Sequence, residues 1–179
     1  MSPPGRPKGE FRSAQHEGTP ESKRSPAGHA GEAPAFVGES FTMRVRLTNA
    51  EIPAFAALVH DHNPLHHDLA AALAAGYRGL IASGTQIGAI FMAMTATHFS
   101  QPGGHGQARS GVGLGFEIRF RAPVYANEDI ELRWVVTGIE RKDKLAGWIA
   151  RLEGEVRSGD TPLLSGTGTL LLRLPETTR

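Results

Sequence analysis

The sequence predicts an α+β fold in which a long antiparallel sheet wraps around one central buried helix. Residues 83–99, SGTQIGAIFMAMTATHF, are apolar around almost the whole helical circumference, which is typical of a helix buried on all sides. From residue 111 onwards the apolar residues change to a two-residue period, in four segments separated by turn-like residues. A curling antiparallel sheet is the element available to cover such a helix.

The elements before the central helix are a strand and two short helices. SFTMRVRL, residues 40–47, alternates apolar and polar side chains, which predicts a half-buried strand. TNAEIPAFAALVH, residues 48–60, has apolar residues at helical spacing, and Pro53 fits only near the first turn of that helix. DLAAALAA, residues 68–75, is helical by propensity.

Four long strands are predicted after the central helix, from GVGLGFEIRFRAP, DIELRWVV, WIARLEGEV and LLSGTGTLLLRL. Strict alternation in the first of these places five apolar residues on one face of the strand. These residues are Val112, Leu114, Phe116, Ile118 and Phe120.

Composition limits the domain count and the classes of function. A chain of 179 residues, 40% of them hydrophobic, is sufficient for one domain, which we expect over residues 36–175. Residues 1–35 are rich in Pro, Gly, Ser and charged residues, which predicts a disordered tail, and residues 176–179 form a second, short tail.

The formal net charge of +1 argues against a nucleic-acid partner. The absence of cysteine excludes a disulfide framework, a thiol nucleophile and a zinc–thiolate site. Neither a secretory signal nor an apolar run long enough for a membrane span is visible. A protein without a membrane partner, located in the cytoplasm, is therefore expected.

The densest cluster of titratable side chains is HDHNPLHHD, residues 60–68. His60 and His62 form a His-x-His pair, which begins one metal-binding pattern, His-x-His-x-Asp-His. Pro64 and Leu65 stand where that pattern needs aspartate and histidine, and the helical zinc spacing His-Glu-x-x-His is also missing. A metal site is therefore disfavoured.

The same segment suits acid–base chemistry better, through the pattern D-x-N-P-x-H. Because Asn63 precedes a proline, its backbone is driven out of the helical region, which fixes a non-helical turn. Asp61 and His66, on either side of this turn, can both point at one water molecule, and their side chains are common proton carriers near neutral pH. Asn63 is expected to brace the loop. The other histidines are interpreted as ordinary loop residues: His60, His62 and His67.

A second motif, SGTQ, opens the central helix. Ser83 followed three residues later by Gln86 is a capping-box pattern, which predicts Ser83 at the N-cap and Gly84 at the first helical position. The first amides of a helix lack intrahelical partners, and Gly84 has no side chain to keep a substrate oxygen from its N–H. This end suits a developing oxyanion. Plain capping is the alternative, and the nearby Asp/His loop favours the functional interpretation.

These residues resemble the MaoC-type (R)-specific enoyl-CoA hydratases. The likeness rests on DHNPLHHD, YRGLIASGTQ and FEIRFRAPVYANEDIEL, and it spans about residues 40–175. Two positions depart from the family pattern: Ser83 stands where histidine is usual, and Asn127 where glycine is usual. Asparagine tolerates a left-handed backbone. The change to Ser83 is expected to affect the substrate or the bracing of the pocket.

The resemblance implies a hot-dog fold and the addition of water to a 2-enoyl thioester, giving a (3R)-3-hydroxyacyl thioester, or the reverse dehydration. Asp61 and His66 would hold the water, and the Gly84 amide would bind the thioester oxygen. Asn63 and Ser83 would bind substrate or brace the loop. No metal, nicotinamide or flavin is implied, because no electrons are exchanged. Coenzyme A or an acyl carrier protein would carry the acyl group.

Two other functions stay open on the sequence: a hot-dog acyl-CoA thioesterase and a non-catalytic module that binds acyl thioesters. The D-x-N-P-x-H spacing favours hydration over hydrolysis, and the presence of both Asp61 and His66 argues against a module without activity. Because a single wrapped sheet has two edges, a homodimer that extends the sheet is also predicted.

Two weaker groups of candidates remain. Arginines on the predicted strands could contact the phosphates of coenzyme A, although such arginines are usually only solvated: Arg119, Arg121 and Arg133. Large apolar residues of the central helix could line an acyl pocket, although such residues are more often core: Phe91, Met92, Met94 and Phe99.

Overall fold

The secondary structure follows the predicted order of one strand, three helices and four strands. The structure is a computed structural model that describes residues 33–103 and 108–175. Two one-turn 3₁₀ helices, Pro64–His66 and Asp143–Leu145, supplement the main elements. In chain order these are β1 (Ser40–Arg46), α1 (Glu51–Leu58), α2 (Leu69–Ala74), α3 (Gly84–Phe99), β2 (Ser110–Phe120), β3 (Asp129–Lys142), β4 (Gly147–Ser158) and β5 (Thr161–Arg173).

The five strands form one antiparallel sheet in the order β1-β3-β4-β5-β2. The strands on either side of the helical segment, β1 and β2, therefore lie at opposite edges of the sheet. The three longest neighbours, β3, β4 and β5, form its centre. A helix between the two edge strands in sequence can thus lie across the whole width of the sheet.

Helix α3 packs across the inner face of the sheet and reaches both of its edges. At the centre, the ring of Phe91 stacks on Trp134 with centroids 4.0 Å apart, and the indole N–H donates to the Phe91 carbonyl at 2.8 Å. At the β1 edge, Phe99 meets Phe41 edge-on. At the β2 edge, a Cβ on Gly111 would lie only 2.8 Å from the Cβ of Phe99. The sheet therefore curls around α3, which confirms the α+β hot-dog fold.

The expectation that α3 is buried on all sides is wrong. The residues that face the sheet are buried, including the fully buried Phe91 and Phe99. The opposite face carries small exposed side chains, among them Thr85, Ala93 and Ala96. One five-stranded sheet covers only one side of a helix, so the apolar circumference of α3 exceeds what a single copy of the chain can bury.

A register shift between Gly113 and Gly115 corrects the predicted pattern of β2. A Cβ on Gly113 would lie 2.7 Å from the ring of Phe116, so this glycine faces inwards, as the later residues Phe116, Ile118 and Phe120 do. The bulge adds one residue to the strand and reverses its alternation. Val112, before the bulge, and Leu114, within it, are both exposed.

The domain includes two residues that the sequence assigned to the tail. Pro34 and Ala35 are buried, because Ala35 packs into the core and the Pro34 carbonyl accepts a hydrogen bond from Arg109 at 2.8 Å. Residues 1–32 of the predicted N-terminal tail and the predicted tail over residues 176–179 lie outside the described residues. Within the described ranges, no helix is long and apolar enough to cross a membrane.

Candidate active site

The loop after α1 has the rigid, non-helical shape that its proline predicts. Asn63 is extended, with φ −63° and ψ 119°, as the following proline requires. Its side-chain oxygen accepts a hydrogen bond from the Leu65 amide at 3.1 Å and so caps the 3₁₀ turn Pro64–His66. The Asn63 side chain therefore braces the loop and does not face the cavity described below.

His66 is held in one orientation by a backbone contact. The imidazole is buried, and its Nδ1 lies 2.8 Å from the carbonyl oxygen of Ile81. Because a carbonyl only accepts hydrogen bonds, Nδ1 carries the proton in the neutral ring. Nε2 is then left with its lone pair, and it lies 3.5 Å from Asp61 Oδ2. The ring can therefore accept a proton on the side that faces Asp61.

Asp61 is held as a carboxylate by two hydrogen bonds. The backbone amide of Asn63 donates to Oδ1 at 3.1 Å, and the hydroxyl of Ser83 donates to Oδ2 at 2.9 Å. These two contacts, the Asn63 amide first, lower the pKa of Asp61 below its ordinary value. The distance of 3.5 Å between Asp61 Oδ2 and His66 Nε2 is long for a direct hydrogen bond. The two atoms are nevertheless close enough for both to accept a hydrogen from one ligand placed beside them.

The predicted capping box at the start of α3 is wrong in its hydrogen bonds, although Ser83 does occupy the N-cap. The Ser83 hydroxyl has a single proton, which it donates to Asp61, so Thr85 Oγ1, 2.7 Å away, donates to Ser83. The Gln86 side chain points to the Glu51 carbonyl, 3.5 Å away, and not back to the N-cap. A hydrogen bond to a carboxylate is charge-assisted and stronger than one with a neutral backbone amide, so the contact with Asp61 orients the Ser83 hydroxyl.

Gly84 is the first residue of α3, as predicted, and its amide is available to a ligand. No hydrogen bond among the described residues uses its N–H, and the Ser83 side chain does not cap this helix end. The ring of Phe120 lies directly over Gly84, since a Cβ at position 84 would come within 3.0 Å of it. A side chain at position 84 would press against the Phe120 ring and shield the amide, so glycine favours both this contact and access to the amide.

An open cavity of about 500 Å³ joins these groups. Its size lies within the usual range for small-molecule sites. Of the predicted site residues, all but Asn63 line it. Met92, one of the weaker candidates for an acyl pocket, also lines it, whereas Phe91, Met94 and Phe99 do not. The interpretation of the sequence did not place the four other lining residues there. The full lining is Asp61, His66, Ser83, Gly84, Thr85, Gly88, Met92, Ile118 and Phe120.

The arginines of β2 do not line this cavity. Arg119 and Arg121 alternate with Ile118 and Phe120 and therefore lie on the opposite face of the sheet. Arg119 pairs with a neighbouring glutamate on the same strand, and Arg121 donates to a serine hydroxyl of β5. Arg133 likewise lies between two buried residues of β3, so it faces away from α3. The suggested contacts of these arginines with coenzyme A are not supported.

The other histidines of the loop are exposed, in keeping with their interpretation as loop residues. His67 Nε2 lies 2.7 Å from the backbone oxygen of Asp61, so it adds to the bracing of the loop. The rings of His60 and His62 have centroids 6.5 Å apart. Among the residues that the structure describes, no three His, Asp or Glu side chains are grouped to hold a metal ion.

Comparison with known sequences connects this geometry to one family. The family model described as MaoC like domain matches residues 33–155. The chain is 27% identical over 139 residues to the (R)-specific enoyl-CoA hydratase of Aeromonas caviae, covering 78% of this chain and 95% of that protein. It is 28% identical over 124 residues to the mitochondrial 3-hydroxyacyl-(acyl-carrier-protein) dehydratase FERN of Solanum lycopersicum, covering 68% of each.

Solved structures agree with this assignment. The (R)-hydratase from A. caviae involved in PHA biosynthesis superposes with a TM-score of 0.65 at 26% identity, over 79% of this chain and 98% of that one. The MaoC-like dehydratase from Rhodospirillum rubrum gives a TM-score of 0.64 at 24% identity, over 80% of this chain and 96% of that one, which supports the fold alone. Since the family model covers more than half of the sequence, the chain belongs to the MaoC-like dehydratase family.

Proposed function

We propose that this protein adds water to the double bond of a 2-enoyl thioester, giving a (3R)-3-hydroxyacyl thioester, and catalyses the reverse dehydration. The observation that supports this most is that Asp61 and His66 face the same cavity as the uncapped Gly84 amide. The likeness to an (R)-specific enoyl-CoA hydratase supports the reaction and the stereochemistry. The carrier of the acyl group is coenzyme A or an acyl carrier protein.

The two acceptors explain how one water molecule would be activated. A water between Asp61 Oδ2 and His66 Nε2 donates a hydrogen to each, which turns an oxygen lone pair towards the β-carbon of the substrate. As the carbon–oxygen bond forms, one of the two side chains takes the proton that the water loses. The same proton then passes to the α-carbon, on the same face of the double bond. Atoms and charge balance without any redox partner.

The Gly84 amide would stabilise the intermediate charge. Addition at the β-carbon moves electrons onto the thioester oxygen, and the first turn of α3 presents an N–H and the positive end of the helix dipole to that oxygen. In other enzymes, one such donor lowers the activation barrier by on the order of 3 kcal/mol. The same donor would serve the reverse reaction, which passes through the same enolate.

Crotonyl-CoA distinguishes the proposed reaction from the alternatives. Loss of the absorbance of the conjugated enoyl group indicates hydration, whereas release of free thiol indicates a thioesterase. Binding without either change indicates a non-catalytic module. We expect loss of the enoyl absorbance without thiol release, and chiral analysis of the product should give the (3R) isomer.

Asp61→Asn tests the base. It should lower kcat by about 10²–10⁴-fold, because an amide cannot accept the proton from water. Asp68→Asn is the matched control, since Asp68 lies in the same loop but only caps α2, with its side chain accepting from the Ala70 and Ala71 amides. Asparagine caps a helix about as well as aspartate, so the control should keep its activity. Undiminished turnover by Asp61→Asn would falsify the proposed mechanism.

We also propose that two copies of the chain form a homodimer through β2 and the open face of α3. β2 is an edge strand with apolar exposed residues, and α3 leaves one side uncovered. The first half of β2, residues 110–116, has no charged side chain, whereas the other edge, β1, carries Arg44 and Arg46, which pair with acidic residues of β3. Charged side chains protect an edge from further pairing, so β2 is the edge that favours a second copy. The cytoplasmic location stays a prediction.

A further inference from the structure

Ser83 stands where a serine usually caps a helix, but its side chain does not form the cap. It occupies the N-cap of α3 with a non-helical backbone, φ −58° and ψ 140°, and its side chain makes no capping hydrogen bond. A serine at this position usually accepts a bond from an amide of the first turn. The side chain of Asp68, at the N-cap of α2, accepts two such bonds. The start of α3 therefore departs from the usual arrangement.

The hydroxyl group of Thr85 takes the place of the missing amide donor. Thr85 Oγ1 lies 2.7 Å from Ser83 Oγ and donates to it, because the single proton of Ser83 is donated to Asp61 at 2.9 Å. The three side chains thus form a directed chain of hydrogen bonds from Thr85 through Ser83 to Asp61. Ser83 is buried, so its oxygen needs a donor from the protein, and Thr85 supplies it.

The donor to the Ser83 oxygen decides what this side chain does. If a first-turn amide were the donor, Ser83 would stabilise α3 as an ordinary cap. With Thr85 as the donor, the hydroxyl group stays beside Asp61. The Ser83 oxygen moves by rotation about a single bond, so a turn towards the amides weakens its contact with Asp61. The helix thus lacks its cap where the carboxylate gains a hydrogen bond, and such a departure from a local rule is typical of functional sites.

We infer that Thr85 is a positioning residue of the candidate active site, whose hydroxyl group holds the Ser83 oxygen away from the amides of α3 and beside Asp61. This inference rests on the proposed hydration, in which Asp61 is one of the two proton acceptors. Thr85 is exposed and lines the cavity. Among the described residues, Ser83 is the single hydrogen-bond partner of the Thr85 hydroxyl. Thr85 therefore acts on Asp61 through Ser83.

The titratable groups that face Asp61 are two imidazoles. His66 Nε2 lies 3.5 Å from Asp61 Oδ2, and His67 Nε2 lies 2.7 Å from the Asp61 backbone oxygen. The pKa of Asp61 is lowered first by the Asn63 amide, then by the Ser83 hydroxyl, and less by the two imidazoles. A substitution of the threonine leaves the imidazoles and the amide in place, so it tests the contact with Ser83 alone.

Thr85→Val tests the inference, because valine has the shape and the helix propensity of threonine without its hydroxyl group. The Ser83 oxygen should then turn to the amides of α3, so the melting temperature should stay the same or rise by at most about 4 °C. The contact with Asp61 should weaken, which raises the pKa of Asp61 and moves the acidic limb of kcat/KM for crotonyl-CoA to higher pH. Thermal unfolding and profiles from about pH 2.5 to about pH 7 measure both effects. A purely structural role would lower the melting temperature and leave the acidic limb in place.

Two variants serve as controls. Thr85→Ser keeps the hydroxyl group, so it should keep the acidic limb of the unaltered protein. Thr97→Val is the matched control on the same helix, because Thr97 is exposed and its hydroxyl donates to the Ala93 carbonyl. Thr97 lies about 18 Å from Thr85 along the helix axis, so the acidic limb should not move.

A double-mutant cycle shows whether Thr85 acts through Ser83. In the Ser83→Ala background the acidic limb should already lie at higher pH, and adding Thr85→Val should have no further effect. The role of Thr85 is wrong if Thr85→Val leaves the acidic limb in place, or moves it equally with and without the Ser83 hydroxyl, and the hydration then still stands.

An NMR titration of the Asp61 carboxyl carbon in the same four proteins gives this comparison without turnover. If the unaltered protein hydrates no enoyl thioester, the proposed function is wrong. The titration then decides separately whether Thr85 controls the contact between Ser83 and Asp61.

Discussion

Ser83 connects the two parts of the candidate site through a single hydroxyl group. It is buried, it stands at the N-cap of α3, and it donates its proton to Asp61 on the preceding loop. The serine therefore fixes one carboxylate oxygen beside His66, and Thr85 supplies the hydrogen bond that the serine oxygen accepts. The resemblance leads one to expect a histidine at this position, which is a longer side chain than serine. The bracing of the pocket thus depends on a small hydroxyl side chain in this chain.

Replacing Ser83 by alanine should shift the pH dependence of the reaction. The Ser83 hydroxyl is one of the two contacts that lower the pKa of Asp61, so its removal raises that pKa. A base with a higher pKa is protonated at higher pH, and the acidic limb of the profile of kcat/KM against pH should move upwards. Hydration of crotonyl-CoA measured from about pH 2.5 to about pH 7 provides the profile, because the acidic limb of a carboxylate with a lowered pKa lies below about pH 4.

Ser83→Thr is the control for this change. Threonine keeps the hydroxyl group, so its acidic limb should stay close to that of the unaltered protein, even if the added methyl group lowers kcat. An alanine variant with an unshifted acidic limb would show that Ser83 has no influence on the protonation of the base.

At the scale of elements, a buried cluster of charged groups joins the two edge strands across the end of α3. Glu39 lies directly before β1, and Arg109 directly before β2. Their side chains form an ion pair with Nη1 and Oε1 2.7 Å apart, and His98 at the end of α3 approaches the same oxygen at 2.7 Å. Only 9% of the Glu39 side chain and 3% of the Arg109 side chain are exposed. We call Glu39, Arg109 and His98 the clasp. The clasp connects β1, α3 and β2 at the end of α3 opposite the candidate site.

Glu39→Gln should destabilise the fold by about 3–5 kcal/mol, because it leaves the buried Arg109 without a countercharge. Glu131→Gln is the matched control. Glu131 forms an exposed ion pair with Arg44, and an exposed pair is worth at most about 1 kcal/mol. Urea unfolding of both variants at neutral pH gives the two differences. A Glu39 variant no less stable than the Glu131 variant would contradict the role of the clasp.

The contribution of the clasp should also depend on pH. Burial raises the pKa of Glu39, but hydrogen bonds from Arg109 and His98 outweigh burial and leave the pKa below its ordinary value. A lowered pKa in the folded state stabilises the fold at pH values above the unfolded pKa of about 4.3. This stabilisation is lost as the pH falls through the folded pKa. The stability difference between the unaltered protein and Glu39→Gln should therefore shrink on acidification.

Local patterns predicted the elements, whereas contacts between distant residues escaped prediction. Periodicity and helix propensity located the five strands and the three α-helices, although not the two 3₁₀ helices. Asn127, predicted to tolerate a left-handed backbone, has φ 62°. The Glu39–Arg109 pair spans 70 residues, so no local pattern reveals it. The bulge beside Gly113 depends on the pairing of β2 with β5, and the Ser83 hydroxyl has its partner on another element. In each case a contact between residues distant in sequence, which no local pattern contains, decided the structure.

At the scale of the whole molecule, the fold leaves more apolar surface uncovered than one copy of the chain can bury. The outer face of α3 is exposed, and it adjoins the edge strand β2. The strand has unpaired backbone groups along one side and carries the exposed Val112 and Leu114. If β2 paired in antiparallel orientation with β2 of a second copy, these backbone groups would form hydrogen bonds across the interface. The two copies would then be related by a two-fold axis. The same axis would bring the open faces of two α3 helices towards each other.

Leu114→Lys tests this arrangement. Leu114 lies on β2 and is 54% exposed, so a lysine there is tolerated by the single copy. In a dimer paired along β2, two lysines would be brought close together near the axis, and their repulsion and desolvation should shift the protein to the monomer. Sedimentation velocity over a range of protein concentrations measures the change.

Thr42→Lys is the matched control, because Thr42 is exposed on the other edge strand, β1. This variant should leave the mass of the protein in solution unchanged. An unaltered protein that sediments as a monomer, or a dimer lost only with Thr42→Lys, would rule out β2 as the interface.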